Sequence, residues 1–336
     1  MKKLVTLLTV FCMLLLVGCG SDSPSTTKNE PVKLALLPLT SSAPLFIALE
    51  KGYFAAEGLE VQPKFFDAAQ PIAVATASSQ VDGGATGITA SLYKMAAKGQ
   101  KVAIVADKGR EQAGYPSSAL LVSTANYEQG VHSIVDLRGK RIGITQKGST
   151  FHYMLGRMLE SQGLSLDDVQ LVPLNKLSAV MAALESQQID AAILNEPNIS
   201  KAQKAGYAKL IVQVGNVIPY QTSAIFYSPT FAEDADRAQR FMKAYRKACN
   251  YYYDGALSDN NPQHKAEIIK IIAKFVKAPE EDIALGLPYI DRDGMLLSSD
   301  IDTQIDWYRS HQLLEGELEA QQIVNPNFLE RVINEK

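Results

Sequence analysis

The chain has 336 residues, 46% of them hydrophobic and 21% charged, with a formal net charge of −3. This length allows one large domain or two lobes of ordinary size, and the composition is that of a globular protein with real cores. The charge balance argues against a nucleic-acid binder, which carries a basic patch, and it selects no particular ligand.

The amino terminus carries the most specific signal. Met1-Lys2-Lys3 is basic, and residues 4–17 form an apolar run. Such a run suits the core of a signal peptide and is too short to span a bilayer comfortably. It ends in Leu16-Val17-Gly18-Cys19, which matches a lipobox, where the cysteine is acylated and becomes the first residue of the mature chain. Residues 1–18 are therefore expected to be a lipoprotein signal peptide, with Cys19 carrying palmitate-type acyl chains. A plain secretory signal with an incidental Cys19 is the weaker reading, because the cysteine stands where the cleavage site belongs. Residues 19–31, polar and without periodicity, are expected to be a flexible tether. Cys12 leaves with the leader, so Cys249 remains alone and no intramolecular disulfide can form. Its place on a helical face suits a buried small apolar residue.

A strand is predicted over 32–38. Thr40-Ser41-Ser42 and Pro44 then open a helix that Gly52 closes. A second strand ends near Phe66, and Asp67-Ala68-Ala69-Gln70-Pro71 opens the next helix. A glycine-rich strand covers 81–87, and Ile88-Thr89-Ala90-Ser91 starts a helix ending near Gly99. Residues 102–106 are apolar throughout and are predicted to form a central, parallel strand. Strand, polar turn and helix recur three times here, the rhythm of an α/β lobe. No G-x-G-x-x-G follows a strand and no G-x-x-x-x-G-K-[ST] occurs, which disfavours nucleotide-binding versions.

Residues 110–118 read as a polar connection, followed by a strand over 119–123. Residues 141–145 alternate polar and apolar, a strand pattern. Gly148-Ser149-Thr150 breaks it and caps a helix reaching 162. Further strands are predicted over 169–174, 189–194 and 210–214. Asn175-Lys176-Leu177-Ser178 and Asn195-Glu196-Pro197 open the intervening helices. This is a second α/β lobe. Residues 219–228 are extended, and helices are predicted over 232–254, 263–277, 280–287 and 299–311. Trp307 and Tyr308 are expected to be packing residues. Strands that deliver hydroxyls and free N–H groups to the carboxyl edge of a sheet place them where open α/β folds hold ligands.

Three local patterns resemble one family. They are Pro44-Leu45-Phe46-Ile47-Ala48 with Lys51-Gly52-Tyr53-Phe54-Ala55-Ala56-Glu57-Gly58-Leu59-Glu60-Val61, then Asp136-Leu137-Arg138-Gly139-Lys140-Arg141-Ile142-Gly143, then Ala183-Leu184-Glu185 with Ile189-Asp190-Ala191-Ala192 and Glu196-Pro197. Together they resemble the solute-binding proteins of the alkanesulfonate, nitrate and thiamine-precursor ABC importers, closely over 32–228 and loosely beyond. The resemblance implies an α/β type II periplasmic-binding-protein fold. Two lobes, 32–116 with 222–336 and 117–221, would be joined at hinges near 114–118 and 217–222, with the C-terminal helices returning to the first lobe. A ligand would lie in the cleft, and closure would be a hinge motion.

On that fold the expected ligand contacts are Ser41, Ser42, Asp67, Gln70 and Thr89 from the first lobe. Ser149, Thr150, Asn195 and Glu196 are expected from the second, and Tyr115 and Gln221 from the hinges. His152 reads as a capped, surface-facing residue. Helix N-termini favour an anion. No arginine stands in these turns, and Lys147 and Lys176 are balanced by Asp67 and Glu196, so the preference is slight, for a small polar organic ligand with a ring or an amino group. The expected role is capture of a solute at the extracytoplasmic (periplasmic) membrane face and delivery to an ABC permease by a lipid-anchored, monomeric protein. No cofactor, metal or nucleic-acid partner is expected, since the four histidines are scattered. The alternatives are an enzyme on the same fold, pyrimidine synthase-like or a lyase, and a lipoprotein presenting ligand to a sensor kinase. The fungal synthase carries a cysteine-rich run that is absent here, and no H-E-x-x-H or G-x-S-x-G occurs.

Overall fold

The computed structural model describes residues 30–258 and 261–334. The expected signal peptide, Cys19 and nearly all of the tether lie outside the described residues. Among the described residues, ten strands form two five-stranded sheets. The first contains β1 (Val32–Leu36), β2 (Val61–Phe65), β3 (Gly83–Gly87), β4 (Ala103–Glu111) and β10 (Tyr220–Tyr227), in the order β2-β1-β3-β10-β4. The second contains β5 (Ser118–Ser123), β6 (Arg141–Ile144), β7 (Gln170–Pro173), β8 (Ala191–Asn195) and β9 (Ala208–Gln213), in the order β7-β6-β8-β5-β9.

Each sheet is parallel except for one strand. β10 runs against β3 and β4, and β5 runs against β8 and β9. These are the two strands that arrive from the other sheet, after β9 and after β4. A chain that leaves one sheet at the carboxyl end of a strand enters the next sheet from that same side. It must therefore run opposite to its new neighbours. The two exchanged strands thus bring the carboxyl ends of the parallel strands of both sheets to one shared gap.

The segment predicted as a central parallel strand over 102–106 is instead part of β4, which is longer, antiparallel to its partner and last in its sheet. It is apolar because its outer edge is covered. Ile104 exchanges backbone hydrogen bonds with Ile323 and Asn325, the Asp107 N–H donates to Gly294 O, and the Arg110 N–H donates to Tyr289 O. An edge strand roofed by the C-terminal chain is buried like a central one.

The motifs shared with the family build the fold. Gly52 and Gly58 hold left-handed turns around Phe54, whose ring stacks on Phe241 at 4.8 Å between centroids. The Asp190 carboxylate takes the Arg141 N–H and its guanidinium, both at 2.7 Å, and so ties β6 to the start of β8. Ser133 and Asp136 form a capping box.

The helices Ala235–Tyr252 and Pro262–Val276 cover the first sheet, with Phe241, Tyr245, Ile268 and Ile272 packed into the cluster of Leu34, Leu36 and Ile225. The helix Ser298–Ser310 does not simply return to the first sheet. Its Ile301, Ile305, Trp307 and Tyr308 share one core with Tyr93 of the helix Ala90–Ala97 and with Tyr153 and Met154 of the helix Thr150–Glu160. Gly156 makes this possible: a Cβ there would sit 2.3 Å from Trp307 Cζ2. The indole N–H donates to Glu160 Oε1 at 2.7 Å. The sequence suggested a packing role for Trp307 but not the partner, because a lone glycine in a helix pattern reads as neutral. Gly156→Ala should destabilise the protein. Overpacking against the indole costs about 1–3 kcal/mol, more than the roughly 1 kcal/mol gained in helix propensity. Urea unfolding followed by circular dichroism measures the difference, and a variant as stable as wild type would contradict this packing.

Candidate functional site

A cavity of about 360 Å³ lies where the strand ends of the two sheets meet. That volume suits a small organic molecule. From the first sheet its wall takes Leu37 to Leu39 and Ser41 after β1, Phe66 to Gln70 after β2, and Thr86 and Gly87 at the end of β3. Lys108 on β4, Thr222 and Ser223 on β10, and Val276 to Ala278 after a C-terminal helix complete that side. From the second sheet come Ser117, Thr145 and Gln146, Ser149 to Phe151, Leu177, Ser178 and Met181, and Asn195 with Pro197, Asn198 and Lys201. The two banks nearly touch at Gly87, where a Cβ would lie 2.5 Å from Thr150 Cγ2.

Of the residues expected to contact ligand, Ser41, Asp67, Gln70, Ser149, Thr150 and Asn195 line this cavity. Five do not. Ser42 is buried and its hydroxyl donates to Leu37 O at 2.9 Å, bracing the turn after β1. Thr89 is buried at the start of the helix Ala90–Ala97. Tyr115 packs edge-on against Tyr289, 5.2 Å between centroids. The buried carboxylate of Glu196 accepts from the Ser200 N–H and hydroxyl at 3.2 and 2.9 Å, and burial raises its pKa. Gln221 is fully buried. Its amide donates to Asp107 Oδ1 and Ser223 O, and its oxygen accepts from the Leu297 N–H at 2.9 Å. Buried backbone groups must find partners, and Ser42, Glu196 and Gln221 serve them, whereas the buried Thr89 hydroxyl has no partner among the described residues. His152 also differs from expectation. It is buried, its Nδ1 accepts from the Gly148 N–H at 3.0 Å, and burial pushes its pKa down to about 4. It is a neutral brace of the turn rather than a surface residue.

Lys108 is the residue that the pattern of the sequence hid. β4 pairs Asp107 with Ala224 and Gly109 with Ser223, so Lys108 is the extra residue of a β-bulge. Bulges re-aim side chains at sites, and here the bulge turns Lys108 onto the cavity wall. The side chain is 1% exposed, and its ammonium donates to Ser41 Oγ at 2.9 Å. It forms no ion pair among the described residues. Its neighbour Asp107 is committed elsewhere, to the N–H groups of Gly109 and Asp291 and to Gln221. Desolvation lowers the Lys108 pKa from 10.5 to about 7, against the attraction of Asp107.

Glu111 stands three residues further, where the chain leaves the first sheet. Its carboxylate accepts from the Ser118 hydroxyl at 2.5 Å, the Ser118 N–H at 3.3 Å and the Thr222 hydroxyl at 3.4 Å. Ser118 Oγ in turn accepts from the Asn195 amide at 2.8 Å. One carboxylate thus joins β4, β5 and β10 at the crossovers and reaches the cavity wall at Asn195.

Two mixed sheets, exchanged strands and a cavity at the shared strand ends define the periplasmic-binding-protein fold. The chain belongs to the NMT1/THI5 like family, whose model matches residues 39–255. A putative aliphatic sulfonates-binding protein of Bacillus subtilis (strain 168) is 26% identical over 253 residues, 74% of this chain and 73% of the relative. Solved structures share the fold, among them two binding proteins. The alkanesulfonate-binding protein SsuA from Xanthomonas axonopodis pv. citri bound to MOPS has a TM-score of 0.72 at 21% identity, over 88% of this chain and 99% of that one. The periplasmic nitrate-binding protein NrtA from Synechocystis PCC 6803 has a TM-score of 0.72 at 15% identity, over 90% of this chain and 88% of that one.

Burial raises the Glu111 pKa from 4.5 to about 7, although the Ser118 bonds oppose it. The folded chain therefore keeps a proton that the unfolded chain releases, and stability falls as pH rises through this window. Melting temperature should decline between pH 4.5 and 7 and then level off, as far as this group is concerned. Glu111→Gln should remove that part of the slope. A variant whose Tm–pH profile parallels wild type through the window would show that Glu111 is ionised in the fold.

Proposed function

We propose that the protein is the extracytoplasmic solute-binding component of an ABC importer. It closes two lobes, 32–116 with 222–336 and 117–221, on a small organic solute and releases it unchanged to the permease. The observation that carries this reading is the shared cavity, whose wall is drawn from both sheets. Such a site is complete only when the two halves meet, so binding and closure are one event. The family relation and the names of the relatives support transport over chemistry. Cys249, the described cysteine, is fully buried and off the cavity wall.

The near contact of Gly87 with Thr150 gives a direct test. Gly87→Val should hold the banks apart and weaken any solute found by thermal shift and calorimetry at least about tenfold, the consequence of losing roughly 1.4 kcal/mol of closure. The melting temperature of the ligand-free protein should change little. Unchanged affinity would mean that the solute binds without closure of this cleft.

We further propose that Cys19 is acylated and that residues 19–31 tether the folded body, as a monomer, to the outer face of the membrane. Detergent-phase partitioning measures this. The full chain should enter the detergent phase and Cys19→Ser, exported and uncleaved or released, should lose acyl label and any partitioning that depends on it. Acyl label on Cys19→Ser would refute the assignment.

A further inference from the structure

We propose that the solute of this cleft is a small organic monoanion whose charged head group is held by Lys108, Ser41 and Thr86. This rests on the solute-binding reading and adds the chemistry of the ligand. It follows from which hydrogen-bonding groups on the wall are spent and which are free. The hydroxyls of Thr222 and Ser223 are used inside the fold, donating to Glu111 and to Gly109 O. Ser41 Oγ accepts from Lys108, so its own proton is left to donate. Thr86 Oγ1 is fully buried, lies on the wall and has no partner. The bulge adds the ammonium of Lys108 to these two hydroxyls. Lys108, Ser41 and Thr86 therefore keep free donors on the first-sheet side of the wall, facing the hydroxyls of Thr145 and Ser149 on the other, and a buried unpaired donor is costly until an acceptor arrives.

The buried carboxylates nearby are all occupied. Asp107, Glu111 and Glu196 give their oxygens to donors of the fold, and none of the three lines the cavity. An amine would find no buried counter-ion, so the amino-bearing ligand that the sequence favoured does not fit. The other ionisable residues on the wall are Asp67, Lys201 and Lys277, all exposed, where solvent screens them. One buried cation matches one negative charge. Leu37, Phe66, Phe151 and Met181 offer an apolar surface to the body of the molecule. The lowered pKa of Lys108 agrees with this, since an anion restores the charge that burial disfavours.

The test uses the full chain purified in detergent. Aliphatic and aromatic carboxylates and sulfonates are each paired with the neutral amide and the amine of the same shape, and binding is read by thermal shift and calorimetry. Anions alone should bind. Lys108→Met should weaken the best anion at least about 30-fold, the usual cost of removing one partner of a buried charge pair, and should raise the melting temperature of the ligand-free protein. Thr86→Val, which keeps the shape of the side chain, should weaken the same anion about tenfold and serves if Lys108→Met does not fold. The proposal is overturned if the best probe is an amide or an amine, or if Lys108→Met and Thr86→Val keep affinity within threefold. A neutral or cationic probe that binds and is lost in Gly87→Val would leave the solute-binding reading standing and remove only the anion. Absence of binding by every probe would remove both.

Discussion

The carboxylate of Glu111 sits where the chain leaves the first sheet and where it returns. It accepts hydrogen bonds from Ser118 at the start of β5 and from Thr222 in β10, while its backbone pairs with Tyr220. A fold made of two sheets with exchanged strands must hold its two crossovers side by side, or the strand ends do not face each other. A buried acceptor with several lone pairs can gather donors from three strands at once, which an apolar residue of equal size cannot do. The arrangement is costly in desolvation and is kept within reach of neutrality by that same burial. Through Ser118 the same junction holds Asn195 at the cavity wall.

Lys108 shows the opposite economy. A lysine at 1% exposure without a counter-ion weakens the fold, and nothing in the packing of β4 requires it. The bulge that turns it toward the cavity is itself braced by Asp107, whose oxygens take the N–H groups of Gly109 and Asp291. Two buried charges beside each other thus have separate duties. One fixes the backbone, and the other stands on the wall of the gap without an ion-pair partner among the described residues. Strain and unpaired polarity of this kind gather at sites that must bind something.

The architecture was legible because strand, turn and helix alternate with clear periodicity, and because the family motifs are motifs of folding. Asp190 on Arg141, Gly52 and Gly58 in left-handed turns, and Phe54 on Phe241 set the shape of the lobes and say little about the ligand. Residues at helix starts came onto the wall, as Ser41, Gln70, Ser149 and Thr150 show, because strand ends determine where helices begin. Glu196, Ser42 and Gln221 look the same in sequence but turn inward, since neighbouring backbone and side-chain groups needed partners. Lys108 stayed hidden within Asp107-Lys108-Gly109-Arg110-Glu111. Four charged residues and a glycine, between the strand predicted to 106 and the connection predicted from 110, carry no strand pattern, and their burial depends on a C-terminal chain almost two hundred residues away (Asp107 to Asp291 alone spans 184 residues). Thr86 was hidden differently, as one hydroxyl in a glycine-rich strand.

Trp307 is the single tryptophan of the chain. It stands at the seam behind the cleft, against Gly156 and Tyr153 on the helix of one sheet and stacked on His311 at 4.0 Å. The indole is therefore packed directly on the helix Thr150–Glu160, the helix whose first turn lines the cavity. One chromophore thus reads one contact, and a displacement of that helix would register in the unlabelled emission of the chain without a second indole to obscure it.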